Sequence, residues 1–121
     1  MKDPLPVRRT CTFQEDLKRL IAKKYRKNLI SDLEHITKED LKRYPLLKSP
    51  MLKPFRSFRR SDFRVLFVYC FQCFHEFDKR LKCKGCDEND LEKLVLVLID
   101  HRSKVYSFKQ SELSGFTLFD E

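Results

Sequence analysis

Tryptophan is absent from this 121-residue chain, and glycine occurs only twice. No apolar run approaches the ~18 residues needed to cross a bilayer, which excludes a membrane-spanning helix. The opening Met-Lys-Asp-Pro-Leu-Pro lacks the apolar core of a signal peptide, so the expected location is the cytoplasm. The length leaves no room for two sizeable cores, and one domain is expected over residues 1–121. Sparse glycine beside abundant Lys, Arg and Glu is compatible with a thermophilic source. What the chain does have is apolar mass: 41% hydrophobic residues, 11 of them Phe, argue for a packed core rather than disorder.

Positive charge is plentiful and unevenly placed. Residues 1–64 hold 18 Lys/Arg against 8 Asp/Glu, whereas residues 65–121 hold 8 against 10. A net of +10 in the first half and −2 in the second points to a polyanionic partner met mainly by the first half. Solvated helix faces in a basic protein are the plainer reading, and charge alone leaves both open.

Residues 5–12 (LPVRRTCT) fit a short first strand. Thr12-Phe-Gln-Glu15 fits a capping box, followed by Phe13, Leu17, Leu20, Ile21 and Tyr25 at helical spacing. A break is expected at Asn28, with a second apolar stripe (Leu29, Leu33, Ile36, Leu41) ending near Tyr44 before Pro45. From Phe55 the period changes. "FRSFRRSDFRVLFVYCF" reads as two strands joined at Ser61-Asp62, the second apolar enough to be covered on both faces. A polar excursion over about 70–90 precedes another buried strand at Leu94–Ile99, and the last dozen residues give no clear assignment. The expected fold is α+β: a small antiparallel sheet, made of an N-terminal strand and a three-strand meander, packed against two helices.

Three stretches in this order, "FQEDLKRLIAKKY", "SDFRVLF" and "IDHRSKVY", resemble the RelE/ParE superfamily of toxins from toxin–antitoxin modules over nearly the whole chain. The resemblance implies, for the RelE-like branch, a ribosome-dependent mRNA endoribonuclease in which a ribose 2′-hydroxyl attacks the adjacent phosphate. It implies Arg64 of "SDFR" at the scissile phosphate, Tyr106 of "KVY" near the 2′-hydroxyl, and Arg102 at the phosphate or leaving group. It further implies a RelB-like antitoxin, a small acidic protein wrapping the basic face, and the ribosome and mRNA as partners. ParE-like members share the fold and inhibit DNA gyrase without catalysis. A zinc-clipped RNA-binding module that has lost activity is the third possibility.

The residue types suit that chemistry on their own terms. A guanidinium can stabilise a phosphorane-like transition state through two parallel hydrogen bonds. A phenol, with a pKa near 10, needs a neighbouring cation such as Arg102 or Arg64 to serve as a base. His101 has the unperturbed pKa best matched to neutral-pH proton transfer, yet it has the opposite strand parity to Tyr106. Arg102 and Tyr106 share parity but would lie ~13 Å apart in a straight strand, so a kink at Ser103-Lys104 is required. Plainer readings are an edge Arg64 paired with Asp62 or Asp100, a core Tyr106 with a wet hydroxyl, and a hydrogen-bonded His101. The family's basic residues on the preceding strand would fall, by gapless counting from Arg64, on Ser57 and Phe55. Arg56, Arg59, Arg60 and Lys53 are therefore the phosphate-contact candidates, and a shift of one residue would turn them to the other face.

"CFQCFHEFDKRLKCKGC" holds Cys70-x-x-Cys73 and Cys83-x-x-Cys86. Two such pairs can supply four thiolates to one tetrahedral Zn²⁺, which would be structural because no position is left for water. Disulfides and reduced thiols are the alternatives, the former rare in the cytosol. Cys11 is expected to be a small core residue. No cofactor is expected for catalysis.

Overall fold

A computed structural model describes residues 3–84, 87–108 and 110–119. Four strands form one sheet: β1 (Val7–Arg9), β2 (Arg56–Arg60), β3 (Phe63–Tyr69) and β4 (Leu94–His101), in the order β1-β4-β3-β2. Three α-helices accompany them: α1 (Cys11–Leu20), α2 (Lys23–Glu34) and α3 (Cys70–Glu76). The α+β class and the terminal meander are as the sequence predicts. The sheet is mixed, however, because β1 pairs parallel to β4, with Val7, Arg8 and Arg9 opposite Leu94, Val95 and Leu96. The helices return the chain to the end where β1 began, so β2 runs in the direction of β1. After two antiparallel reversals β4 does too. Among the described residues no helix is long and apolar enough to cross a membrane.

Both faces of the sheet are buried, which is why β3 and β4 read as continuous apolar runs. One face presents Val65, Phe67, Tyr69, Leu94, Leu96 and Ile99 to Phe13 and Leu17 of α1 and to Leu29 and Leu33 of α2. The other presents Leu66, Val68, Val95, Val97 and Leu98 to a layer built from Phe55, α3, Leu81 after it, and the chain beyond β4, including Val105, Leu113 and Phe116.

Helix α1 starts earlier than its capping-box signature suggests. Thr10, fully buried, is the N-cap: its hydroxyl accepts from the Phe13 amide (2.9 Å) and donates to the Val97 carbonyl (2.6 Å). That second bond is open to Thr10 because β4 bulges there, Leu66 facing Leu98 while Phe67 faces Leu96. The Ile99 amide just past the bulge donates to the Asp16 carboxylate of α1 (3.1 Å).

The helix break lies at Ile21–Ala22, not at Asn28. Ile21 turns extended (φ −108°, ψ 123°), and Arg26 reaches back to the Ile21 and Lys18 carbonyls at 2.8 Å each, satisfying the end of α1 with a cation. Nor does α2 reach Tyr44. It stops at Glu34, and a separate 3₁₀ turn (Glu39–Arg43) starts from a reciprocal cap, in which the Thr37 amide donates to Asp40 and the Asp40 amide to Thr37. Those bonds hold the Asp40 carboxyl below its ordinary pKa.

Candidate functional site

Strand alternation decides which arginines of β2 are available. Arg56, Phe58 and Arg60 point to the helical side, where Phe58 faces Val65 and packs against Tyr44 with ring centroids 5.7 Å apart. Arg56 is spent on structure: Nη1 donates to the Leu41 and Tyr44 carbonyls (2.9 and 2.8 Å), and Nη2 to the Gln72 side chain (2.9 Å). Burial pushes its guanidinium pKa down from the ordinary arginine value. Arg60 forms an ion pair with Asp32 of α2 and lies 5.6 Å from the Phe58 ring centroid. Lys53 precedes the cis Lys53-Pro54 bond, outside the strand, on the rim of an open cavity of about 270 Å³ shared with Arg80 and Ser114.

Ser57 and Arg59 point the other way. Register places Arg59, Arg64 and Asp100 side by side on three successive strands. Adjacent arginines repel, and Asp100 on the far side of Arg64 offsets that cost. Arg59 is exposed, whereas Arg64 is 8% exposed and donates from Nη1 to the Ser61 and Phe63 carbonyls (3.0 and 2.9 Å). A guanidinium carries five N–H donors, so three remain beyond those two bonds. Ser61 adopts the left-handed conformation (φ 53°) that closes this tight turn. Arg102 meets the same turn, its amide donating to the Asp62 carbonyl (2.8 Å) and its Nε lying 3.9 Å from the Asp62 carboxylate.

The kink required between Arg102 and Tyr106 is present. Past His101 the chain coils, with the Lys104 and Val105 amides both donating to the His101 carbonyl (2.8 and 3.0 Å). Val105 is fully buried in the second apolar layer, and its insertion fixes the coil. The coil swings Tyr106 over β2, where its hydroxyl donates to Ser57 Oγ at 3.3 Å and the side chain stays half exposed. Ser57 lies two residues before Arg59 on the same face, about 7 Å along the strand.

His101 occupies the opposite face. Its ring packs edge-on to Phe63 (6.1 Å), and Nδ1 contacts Ser103 Oγ at 2.8 Å. The structure thus gathers Ser57, Arg59, Arg64 and Tyr106 on one face, with Arg102 at the adjoining turn. It sets His101, Arg56 and Arg60 on the helical side. Ser57 was legible only as a missing basic residue; the signal that could have found it is its shared parity with Arg59.

The cysteines lie elsewhere. Cys70 and Cys73 on α3 are buried, Cys83 in the following loop is half-buried, and the three line a single cavity of about 60 Å³. Cys86 falls outside the described residues. Among the described residues alone, no group of three or more His, Cys, Asp or Glu is gathered to hold a metal ion. Cys11, at the start of α1, is half-buried, its amide donating to the Thr117 carbonyl (2.8 Å).

No family model and no curated protein matches the sequence. Among solved structures, the chain is similar to one in the crystal structure of the toxin–antitoxin complex RelBE2 from Mycobacterium tuberculosis. The two share 21% identity over 84% of this chain and 94% of that one, with a TM-score of 0.54. The likeness is one of fold, a RelE-like α+β arrangement.

Proposed function

We propose that this RelE-like chain is the toxin of a toxin–antitoxin module and acts as a ribosome-dependent mRNA endoribonuclease. The observation that carries the reading is the position of Tyr106, which the coil after β4 brings over β2 to Ser57, on the face of the sheet that also carries Arg59 and Arg64. The structural neighbour, part of a toxin–antitoxin complex, supports an antitoxin as partner.

Arg64, held in place by two carbonyls, would present its remaining donors to the non-bridging oxygens of the scissile phosphate. The 2′-oxygen forms a bond to phosphorus, the bond from phosphorus to the 5′-oxygen breaks, and a 2′,3′-cyclic phosphate results. Tyr106 would meet the 2′-hydroxyl, with Ser57 orienting its phenol. Arg102 at the turn would counter charge on the phosphate or the departing 5′-oxygen, and Arg59 would hold flanking phosphate. Such contacts release counterions, so association falls steeply with salt. His101, Arg56 and Arg60 have no part in this reading.

Primer extension on a defined mRNA, in ribosomes programmed with an empty decoding site, tests it. Wild type is expected to cut, Arg64→Ala to lose about 10²–10³-fold in rate, and Tyr106→Phe about 10²-fold or more. A wild-type chain that cuts nothing, with or without ribosomes, removes the nuclease reading and makes gyrase supercoiling the next assay.

A further inference from the structure

The excursion between β3 and β4 segregates its charge. Residues 77–84 (FDKRLKCK) hold four cations against Asp78, and the acids Asp87, Glu88, Asp90 and Glu92 come only afterwards. Leu81 is fully buried in the second apolar layer and pins this basic part, its carbonyl accepting from the Gly115 amide (2.6 Å). Lys79 is engaged by the Phe74 ring, 4.4 Å from its centroid. Arg80 and Lys82, on either side of Leu81, instead line the open cavity of about 270 Å³ that they share with Lys53. Asp78, Lys79 and Lys82 are left-handed (φ 50°, 54° and 48°), a conformation that favours glycine, yet lysine stands at two of the three.

We propose that this cavity is a phosphate subsite for the mRNA strand, taking a phosphodiester group beyond those assigned to Arg64 and Arg59. The inference rests on the RNA-binding part of the nuclease reading. Three cations line the cavity, Lys53, Arg80 and Lys82, against the single acid Asp78. Among the described residues neither Lys53 nor Lys82 has a carboxylate within ion-pairing distance. Arg80 donates from Nη1 to the Pro50 carbonyl, which fixes the guanidinium and leaves its other N–H groups for a ligand. Ser114, exposed at the same cavity, adds a hydroxyl donor. Cations gathered without enough acid repel one another. A shared phosphate offsets that cost and accepts a charge-assisted hydrogen bond from each.

The cavity lies in line with the candidate site. Phe55, which forms part of its wall, is buried in the apolar layer on the face that Ser57 and Arg59 share. It stands two residues before Ser57, about 7 Å along the chain, and about 13 Å before Arg59. An RNA strand whose scissile phosphate meets Arg64 would reach the cavity by running along β2, past Ser57 and the Tyr106 phenol. The cations of the excursion belong to the half of the chain whose net charge is −2, and here they extend the basic surface of the first half.

The test measures association of the full chain with ribosomes whose decoding site is empty, on mRNA carrying single methylphosphonate linkages. Each such linkage removes one phosphate charge. Lys53→Gln and Lys82→Gln are expected to weaken association at low salt and to lower the slope of log K against log salt by about 1 each. Tm should stay within about 2 °C. Lys84→Gln, in the same excursion and outside this cavity, should change the slope far less. One methylphosphonate position beside the cut should weaken wild type and leave Lys82→Gln unaffected. Weakening by the lysine variants with no sensitive mRNA linkage would hand the cavity to ribosomal RNA and overturn the proposal. An equal loss in Lys84→Gln, the mark of a diffuse basic surface, would also overturn it. Unchanged association in both cavity variants, with wild type still cutting, sinks the subsite and leaves the nuclease reading standing. A wild type that neither associates nor cuts removes both.

Discussion

Arg56 offers the cleanest separation between charge that holds the fold and charge that meets a ligand. It sits on the basic strand and would be taken for a phosphate contact on composition, yet its guanidinium braces the turn that carries Tyr44 onto the sheet. Replacing it by Met keeps most of the aliphatic stem and removes three hydrogen bonds. The Leu41 and Tyr44 carbonyls then lose a charged donor, each worth about 1–2 kcal/mol in a partly buried setting, and Gln72 about 0.5 kcal/mol more. Nε of Arg56 is buried and without a partner among the described residues, so its removal returns a fraction of that loss. The net expectation is a destabilisation of about 2–4 kcal/mol. With an unfolding entropy near 0.25 kcal/mol/K for a chain of this length, Tm should fall by about 8–16 °C. Differential scanning calorimetry measures this, and ribosome-dependent cleavage should be assayed well below both transitions. There the rate per folded molecule should be unchanged, whereas Arg59→Ala should leave Tm within about 2 °C and weaken RNA association with a shallower salt dependence. An Arg56→Met variant with unaltered Tm and lost RNA binding would refute the assignment of strand faces on which the candidate site rests.

Thr10→Val removes the N-cap of α1 and strands the Val97 carbonyl at the bulge; a loss of about 2–4 kcal/mol is expected in urea unfolding, against under 1 kcal/mol for Thr12→Val, and equal losses would restore the capping box at Thr12. Asp16 has its carboxyl pKa raised, chiefly by burial and against the opposing bonds from Ile99 and Arg19. A carboxyl with a folded pKa above its unfolded value of ~3.9 binds its proton more tightly when folded. Its contribution is therefore fully present below that value and lost as pH rises through the folded pKa. Asp16→Asn, whose side-chain oxygen can still accept from Ile99, should gain stability relative to wild type between pH 3 and pH 6.5; a gain in the opposite direction would mean that the Arg19 pair outweighs burial.

Strands β3 and β4 were legible because burial on both faces leaves an uninterrupted apolar run, and the β2–β3 turn because Ser61-Asp62 separates two aromatic-rich segments. The helical stripe from Phe13 to Leu17 was legible for the same reason of periodicity. What escaped depended on partners distant in sequence. Thr10 and Thr12 are both plausible caps locally, and only the bulged Val97, 87 residues from Thr10, favours the first. The end of α1 is decided by Arg26, whose reach to two carbonyls has no signature in periodicity. Helix α3 hides inside a charged stretch because only Cys70 and Cys73 are buried on it. The placement of Tyr106 was the largest gap. Spacing along an ideal strand set it ~13 Å from Arg102, and it is the burial of Val105 that turns that stretch into a coil. His101, chemically the most attractive proton carrier, lost its place to the same alternation that the sequence already displayed.

Strand β2 carries two unrelated duties in five residues, interleaved one by one: Arg56, Phe58 and Arg60 secure the helices, while Ser57 and Arg59 lie on the opposite face, Ser57 against the Tyr106 phenol. Its length is consequently frozen. Substitution can tune either duty separately, but inserting or deleting one residue exchanges the two sets, turning braces to solvent and ligand contacts into the core in a single step. Variation among chains built this way should therefore accumulate by replacement within the strand, with every change of length displaced into the segment before Lys53 or the excursion between β3 and β4.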